Sequence, residues 1–166
     1  MIALSNRLAC VLEYASGGSL LDLVESTNGK GLAAPRAQKI IKQLLQAVCR
    51  SPSSYSADFR RVADDSGPII QLRYMHAKGF IHRDVKASNV LLDGKGNVKL
   101  ADFEFCERWH PLTSLSDACG TLAYMAPELV EQRRCSGPAT DIWAAGVLLY
   151  CTEWDDWVIM FYWLTD

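Results

Sequence analysis

The 166-residue chain lacks several signals that would assign it to a special class of protein. A membrane-spanning helix needs about 20 apolar residues, and the apolar run 158–164 is far shorter. The first residues have no basic region followed by an apolar run, so we expect no signal peptide. Lys and Arg number 17 against 19 Asp and Glu. A net charge of -2 gives no reason to expect nucleic acid or a membrane surface as a partner.

The six cysteines are scattered along the chain and include no C-x-x-C pair. This pattern predicts neither a zinc site nor a disulfide framework, and it favours the reduced thiols of an intracellular protein. The hydrophobic fraction of 49% suits one buried core, and the length suits one domain. We therefore expect a globular protein of the cytoplasm.

Turn residues and hydrophobic periodicity predict both strands and helices in the first part of the chain. We expect a strand over residues 7–14 that runs into Gly17-Gly18, and then a short helix over residues 20–25. Ser19 has the right side chain and position to be the N-cap of that helix. A longer amphipathic helix begins near Pro35, and its apolar face is formed by Ile40, Ile41, Leu44, Leu45 and Val48.

Residues 48–71 interrupt this helical pattern. They are rich in serine and in paired charges, and Pro52 and Pro68 do not suit a helix interior. Joining Ala47 directly to Leu72 restores the helical period. We predict that residues 48–71 are a retained intron or an insertion foreign to the fold, and a genuine surface loop is the alternative. Beyond them, residues 90–92 and 98–100 predict a hairpin, and residues 140–150 predict a second apolar helix.

Three short stretches carry the chemical signal of this chain. Residues 81–92 read I-H-R-D-V-K-A-S-N-V-L-L, residues 102–104 read D-F-E, and residues 120–128 read G-T-L-A-Y-M-A-P-E. In order and spacing they resemble the H-R-D-x-x-x-x-N, D-F-G and A-P-E motifs of eukaryotic Ser/Thr protein kinases. The resemblance implies an α+β fold in which residues 1–166 are a partial kinase domain, from the hinge to helix F. Most of it would be the helical lower lobe, with the hinge and the end of the upper lobe.

The resemblance implies ATP- and Mg²⁺-dependent phosphoryl transfer to Ser or Thr of a protein substrate. Asp84 would accept the proton of the substrate hydroxyl, and Lys86 would face the transferred phosphate. Asn89 and Asp102 would hold magnesium, which prefers such oxygen ligands. Thr121 together with Lys86 favours Ser/Thr over Tyr as the acceptor. Each residue also has a structural interpretation: Asp84 as a capped turn or a surface carboxylate, and Asp102 as the end of a strand.

Other roles follow from the same resemblance. Leu12, Glu13 and Ala15 resemble the hinge that would bind the adenine edge, with Leu12 at the gatekeeper position, and Leu91 would pack beneath the base. A plain edge strand and a core leucine are the alternatives. Arg83 resembles the arginine that binds an activation-loop phosphate, although it could simply pair with a fixed carboxylate. An upstream kinase would place that phosphate, for which the loop offers Thr113, Ser114 and Ser116.

Three further residues resemble structural parts of the family's site. His82 and Phe103 correspond to a buried stack that couples the catalytic loop to the magnesium loop, with plain core packing as the alternative. Asp141 corresponds to a buried anchor for the catalytic-loop backbone. In Glu104 the chain departs from the family, because D-F-G has a glycine there.

The resemblance places the Gly-rich loop, the V-A-I-K lysine and its glutamate partner before residue 1. We therefore expect negligible phosphotransfer from the 166-residue chain by itself, because the lysine and glutamate help to hold ATP. A catalytically inactive truncated kinase, or a pseudokinase that acts as a binding module, is the alternative function. The wording around the motifs resembles the germinal-centre and MAP-kinase-cascade group.

Overall fold

The computed structural model describes residues 2–4, 7–9, 12–45, 71–110, 119–133 and 136–154. Its helices are α1 (Leu20–Glu25), α2 (Ala34–Leu45), α3 (Gln71–Ala77), α4 (Pro127–Val130) and α5 (Gly137–Trp154). Its strands are β1 (Ile2–Leu4), β2 (Arg7–Ala9), β3 (Phe80–Ile81), β4 (Val90–Leu92), β5 (Val98–Leu100) and β6 (Glu107–Arg108). The strands form three antiparallel pairs, β1–β2, β3–β6 and β4–β5. The α+β class is confirmed.

Helix α1 begins at the N-cap that the sequence predicts. The backbone N–H of Asp22 donates to Ser19 Oγ at 3.1 Å, and Ser19 N donates to Asp22 Oδ2 at 2.8 Å. This reciprocal capping box satisfies two N–H groups at the helix N-terminus that have no helical partner. Leu20 and Val24 lie one turn apart and are fully buried. The predicted helix is confirmed with the same bounds.

The β4–β5 hairpin is also confirmed, with Val90 opposite Leu100 and Leu92 opposite Val98. Its turn is held by Asp93, whose Oδ1 accepts from the N–H groups of Lys95 and Asn97, each at 2.8 Å. A short carboxylate that bonds the backbone ahead of it fixes such a turn without help from the core. The hairpin is therefore specified locally.

The hairpin is joined to the segment before α1 through the backbone. Gly17 N donates to Leu92 O at 2.8 Å, and Leu92 N donates to Gly18 O at 2.8 Å. A Cβ at Gly17 would lie 2.8 Å from Leu92 O, so a larger residue would push the two segments apart. This contact brings the predicted hinge next to the strand that carries Leu91.

One core connects the helices and the hairpin, and helices α2 and α5 pack against each other within it. Burying a leucine-sized side chain stabilises the fold by about 1.5–3 kcal/mol. Helix α5 begins at Gly137, three residues before the predicted start, because Pro138 is accepted in a first helical turn. The largest fully buried apolar side chains are Leu20, Leu44, Leu72, Ile81 and Leu148.

The predicted strand over residues 7–14 is only partly right. Strand β2 ends at Ala9, where its pairing with β1 ends. Residues 12–14 form neither helix nor strand, and the side chains of Leu12 and Tyr14 are 77% and 86% exposed. An apolar composition favours a strand only where a neighbouring strand supplies hydrogen-bond partners, which none of the described residues does here.

Trp109 fixes the chain just after β6. Its backbone N–H donates to Gly79 O at 2.7 Å, and its side chain packs against Ile81 and Leu129. A Cβ at Gly137 would lie 2.6 Å from the Trp109 ring, so the first residue of α5 must be small. The ring therefore bridges β3, α4 and the start of α5.

None of the helices among the described residues is both long enough and apolar enough to span a bilayer. Within the same residues, Cys106, Cys119 and Cys151 form no disulfide.

The predicted insertion 48–71 lies outside the described residues, except for Gln71, which begins α3. Helices α2 and α3, on either side of it, contact each other. Leu44 near the end of α2 and Leu72 in α3 are both fully buried. An insertion can be removed only if the helices on either side of it already meet, as α2 and α3 do. That residues 48–71 are a retained intron or a foreign insertion stays a prediction.

We predict that joining Ala47 directly to Leu72 leaves the fold intact. By loop-closure entropy, removing about two dozen residues between α2 and α3 lowers the free-energy cost of bringing the two helices together by about 3 kcal/mol. The shortened chain should therefore unfold at the same or a higher denaturant concentration, measured by circular dichroism. Sequencing the spliced transcript provides the independent check. A mature message that keeps codons 48–71, together with a shortened chain that fails to fold, would contradict the insertion hypothesis.

Candidate active site

The backbone of the predicted catalytic loop is held by Asp141 of α5. The Asp141 carboxylate is 1% exposed and accepts from His82 N on Oδ2 and from Arg83 N on Oδ1, each at 2.9 Å. His76 Nε2 lies 2.7 Å from Oδ2 and supplies a third donor. A buried carboxylate needs such donors, because it has left water. The predicted role of Asp141 as an anchor is confirmed.

Asp141 also supports an unusual backbone conformation. Arg83 has φ +67°, in the left-handed region that non-glycine residues rarely adopt. Asp102 has φ +60°. Such strain costs about 1–3 kcal/mol per residue and persists only where the surroundings impose it. Both residues belong to the motifs that the sequence singles out, so the strain coincides with the candidate site.

The Asp84 carboxylate is bonded by three other side chains, those of Lys86, Thr121 and Asn89. Lys86 Nζ lies 2.7 Å from Oδ2, and Thr121 Oγ1 donates to Oδ1 at 2.8 Å. Lys86 Nζ also donates to Thr121 Oγ1 at 3.0 Å, which closes a triangle. Asn89 Nδ2 donates to Asp84 Oδ2 at 3.0 Å and to the Asp84 carbonyl at 2.9 Å. The structure thus brings four of the five predicted catalytic residues together.

This network sets the charge of Asp84. Burial by itself raises the pKa of the carboxyl, but the hydrogen bonds from Lys86, Thr121 and Asn89 and the charge of Lys86 outweigh it. The net pKa of Asp84 is lowered, so the group is an anion at neutral pH. A carboxylate has about four lone-pair sites. The described residues fill one on Oδ1 and two on Oδ2, which leaves Oδ1 able to accept one more hydrogen bond.

His82 lies behind this network and is fully buried. Burial lowers the pKa of its imidazole, so the ring is neutral at pH 7. Its Nδ1 accepts from Asp84 N at 3.3 Å, and its Nε2 donates to Ala101 O at 3.0 Å. The ring therefore connects the catalytic loop to the residue before Asp102.

His82 also contacts Phe103, with ring centroids 5.1 Å apart in an edge-to-face arrangement. The predicted stack is confirmed, but its burial is not, because Phe103 is 52% exposed. Only the histidine half of the stack is core.

Asn89 and Asp102, the predicted magnesium ligands, are brought together by the backbone. Ala101 N donates to Asn89 O at 2.9 Å, which places Asp102 one residue from that contact. Asp102 is exposed, and no carboxylate hydrogen bond is assigned to it among the described residues. These two side chains would offer a metal ion one carboxylate and one amide oxygen, which are hard ligands that Mg²⁺ accepts. The described residues contain no cluster of three or more His, Cys, Asp or Glu suited to a metal.

Arg83 does not bond Asp84 or Asp102 through its side chain. Its Nε donates to Phe105 O at 2.7 Å, and its Nη1 lies 2.7 Å from Glu107 Oε2. The sequence left two interpretations open, and the structure shows the pairing with a carboxylate. Arg83 therefore ties the catalytic loop to β6.

Gly120 allows the segment that carries Thr121 to approach the catalytic loop. It has φ +95°, and a Cβ on it would lie 2.3 Å from the Arg83 carbonyl oxygen. No side chain fits there, which accounts for glycine on both steric and conformational grounds. The close approach lets Thr121 reach Asp84. A cleft beside this contact is lined by Asp84, Thr121, Tyr124, Met125 and Leu129, among others.

The predicted adenine-binding residues are placed less completely. Leu12 and Glu13 are exposed and Ala15 is partly buried, ahead of the Gly17 contact with β4. Lys99 of β5 pairs with Glu13 at 2.9 Å. Leu91 of β4 is partly buried and forms a β-bridge with Ser19. The hinge segment therefore sits against the hairpin, and its contact with a nucleotide stays a prediction.

Sequence reasoning missed three residues that the structure brings to the site. Tyr124 is buried, and its hydroxyl hydrogen-bonds the backbone of Ala87; burial raises its pKa. His76 bonds Asp141, and Glu107 bonds Arg83. The position of Tyr124 within the G-T-x-x-Y pattern gave a usable signal. Nothing local in the sequence marks His76 or Glu107, because their partners are distant along the chain.

Comparison with known proteins assigns the family. The Protein kinase domain family matches residues 69–155, more than half of the chain, and it covers the catalytic-loop network and helix α5. Relatives above 30% identity extend the similarity over most of the sequence. The chain belongs to the protein kinase family, and within it to the Ser/Thr kinases.

Three relatives illustrate the similarity. CBL-interacting protein kinase 31 of Oryza sativa subsp. japonica is 36% identical over 147 residues, which are 87% of this chain and 27% of the relative. CBL-interacting serine/threonine-protein kinase 21 of Arabidopsis thaliana is 34% identical over 150 residues, 90% of this chain and 30% of the relative. Human NUAK family SNF1-like kinase 2 is 32% identical over 146 residues, 88% of this chain and 19% of the relative.

The chain thus spans about a fifth to a third of the length of these relatives. Their names do not support the germinal-centre and MAP-kinase-cascade group. The residues that suggested this group surround motifs shared by Ser/Thr kinases in general. They therefore distinguish poorly between one group of kinases and another. The assignment to Ser/Thr protein kinases is confirmed, and the finer grouping is not supported.

We predict that Asp141→Asn destabilises the protein although the side chain keeps its size. An amide offers one acceptor oxygen, so one of the buried N–H groups of His82 and Arg83 would face an NH₂ group. Leaving a buried donor unsatisfied costs about 1–3 kcal/mol. Urea unfolding followed by tryptophan fluorescence should show a loss of that size. Glu25→Gln, at an exposed position of α1, is the control; equal stability of the two variants would contradict the anchoring role.

Proposed function

We propose that the chain is part of a Ser/Thr protein kinase that transfers the γ-phosphoryl group of ATP to Ser or Thr of protein substrates in intracellular signalling. The network of Asp84, Lys86 and Thr121 is the observation that carries the proposal. It presents an ionised carboxylate with one free acceptor position next to a lysine ammonium. The protein would work in the cytoplasm.

The chemistry follows from these positions. The substrate hydroxyl donates to the free position on Asp84 Oδ1, and its oxygen forms a bond to the γ-phosphorus as the bond to the bridging oxygen of ADP breaks. The hydroxyl proton passes to Asp84 and the bridging oxygen leaves on ADP. Lys86 neutralises charge on the transferred group, since phosphoryl transfer depends mainly on positioning and electrostatic stabilisation. Thr121 keeps both side chains in place.

Kinases of this family generally use Mg²⁺ with ATP, and the bound ion supplies charge neutralisation at the phosphates. In this chain Asn89 and Asp102 would hold the ion. Asn89 Nδ2 is committed to Asp84, so its oxygen is the atom available to a metal. Leu12, Glu13, Ala15 and Leu91 would surround the adenine between the hinge and β4.

A signalling kinase of this type would also be regulated by an upstream kinase that phosphorylates its activation loop. The candidate phosphosites Thr113, Ser114 and Ser116 lie outside the described residues, so this stays a prediction. A catalytically inactive kinase that serves as a binding module is the alternative function. The intact Asp84, Lys86, Asn89 and Asp102 support the enzyme, and Glu104 stands where the family has a glycine.

We predict that Asp84→Asn strongly lowers the rate of transfer in the full-length protein. Loss of a general base costs about a hundredfold or more in rate, and the amide also disrupts the bond from Lys86. Labelled ATP, Mg²⁺ and a generic basic protein substrate measure the rate, and phosphoamino-acid analysis identifies Ser or Thr as the acceptor. Glu25→Gln is the control. Equal incorporation by wild type and Asp84→Asn, or no incorporation by either, would favour the binding-module alternative.

We predict that Asp102→Asn weakens the magnesium-dependent part of nucleotide binding. Removing one charged oxygen ligand should raise the Kd for ATP in the presence of Mg²⁺ about tenfold, within the range seen when groups supporting a metal are lost. Without Mg²⁺, wild type and variant should bind ATP equally. Calorimetric titration of the full-length protein with and without Mg²⁺ measures both values. A Kd that is unaffected under both conditions would exclude Asp102 as a ligand.

A further inference from the structure

The Arg83 side chain reaches from the catalytic loop to the segment that follows Asp102-Phe103-Glu104. Nε donates to the Phe105 carbonyl at 2.7 Å, and Nη1 lies 2.7 Å from Glu107 Oε2. Glu107 belongs to β6, where it stands opposite Ile81, the residue before His82. Its carboxylate is therefore held against Arg83 by the backbone pairing as well as by the ion pair.

The two partners differ in exposure, and this affects what the ion pair does. The Arg83 side chain is 15% exposed and that of Glu107 is 48% exposed. A pair of exposed charges stabilises little. A largely buried guanidinium, in contrast, requires a counter-charge, because it has lost most of its water. In the described part of the chain, Glu107 supplies the one carboxylate paired with Arg83.

We propose that Glu107 is a positioning residue that gives Arg83 the negative charge an activation-loop phosphate would give it. The segment 105–109 is thereby held on the catalytic loop without phosphorylation. This inference rests on the proposed kinase function. It goes beyond that function in one respect and replaces the prediction of an upstream kinase, because activity would not require a phosphate on the activation loop.

The chemistry of the guanidinium supports this assignment. Carboxylate and phosphate oxygens both match its planar set of donors. Here Nε is committed to the Phe105 carbonyl and Nη1 to Glu107, so a phosphate would have to displace the carboxylate or lie next to it. Two anions at that distance repel each other. Glu107 therefore fills the place of the phosphate.

The test uses the full-length kinase after treatment with a protein phosphatase, with mass spectrometry confirming the loss of phosphate from residues 111–118. Wild type should keep its kcat on a generic basic protein substrate to within about a factor of two. Glu107→Gln should lower kcat about tenfold, a size typical of coupling through one close pair. Glu107→Asp, which keeps the charge, should regain part of the rate. Arg83→Gln combined with Glu107→Gln should be no slower than Arg83→Gln alone.

Glu131→Gln is the matched control, because it removes another Glu–Arg pair, with Arg133, in which both side chains are exposed. It should leave kcat unchanged. Amide hydrogen exchange gives a readout that does not need activity. The Trp109 amide, bonded to Gly79 O, should exchange faster in Glu107→Gln, whereas the Leu148 amide in the core of α5 should be unchanged.

The outcomes separate the two proposals. A wild-type protein without Asp84-dependent transfer would refute the proposed function, and the Trp109 amide would still decide whether Glu107 holds the segment. Wild type that loses its rate on dephosphorylation would overturn the inference, because phosphate would then be the working ligand. Glu107→Gln with unchanged rate and unchanged Trp109 exchange would overturn it as well. Loss of Leu148 protection in Glu107→Gln would likewise count against it, since the residue would then support the whole fold.

Discussion

The carboxylate of Asp141 is the constraint on which the site depends. It lies in the core on α5, where three hydrogen-bond donors from α3 and the catalytic loop offset the free energy lost when it leaves water. By fixing the N–H of Arg83, it imposes a left-handed conformation that the chain would not adopt alone. Asp84 follows directly, so the direction of its carboxylate is set from a helix outside the catalytic loop. The core and the candidate site thereby share one hydrogen-bonded group.

Much of the fold could be predicted from the sequence wherever the cause is local. The capping box of Ser19 and the Asx turn of Asp93 specify their elements within a few residues, and both are as expected. The grouping of Asp84, Lys86, Asn89 and Thr121 was also predictable, although only through the resemblance to a family. Spacing along the chain would not have brought Thr121 to Asp84, since 37 residues separate them.

What could not be predicted depends on distant contacts. The strand expected over residues 7–14 stops at Ala9, because apolar composition does not supply a pairing partner. Phe103 was expected to be buried, but burial depends on what covers a ring, and local sequence does not determine that. Arg83 had two equally reasonable partners. Its pairing with Glu107 follows from the register of β6 with β3, a long-range property that sequence periodicity leaves open.

The glycine at the start of α5 has a consequence for how the molecule moves. Gly137 leaves room for the Trp109 ring, and four residues later the same helix carries Asp141. A rigid helix therefore contacts both the segment after β6 and the catalytic-loop backbone. Because the helix is stiff, a rotation about its own axis would displace Trp109 and Asp84 together rather than separately. The segment after β6 and the catalytic loop are therefore coupled through one helix, and a displacement of α5 would reach the Asp84 carboxylate through the Arg83 backbone.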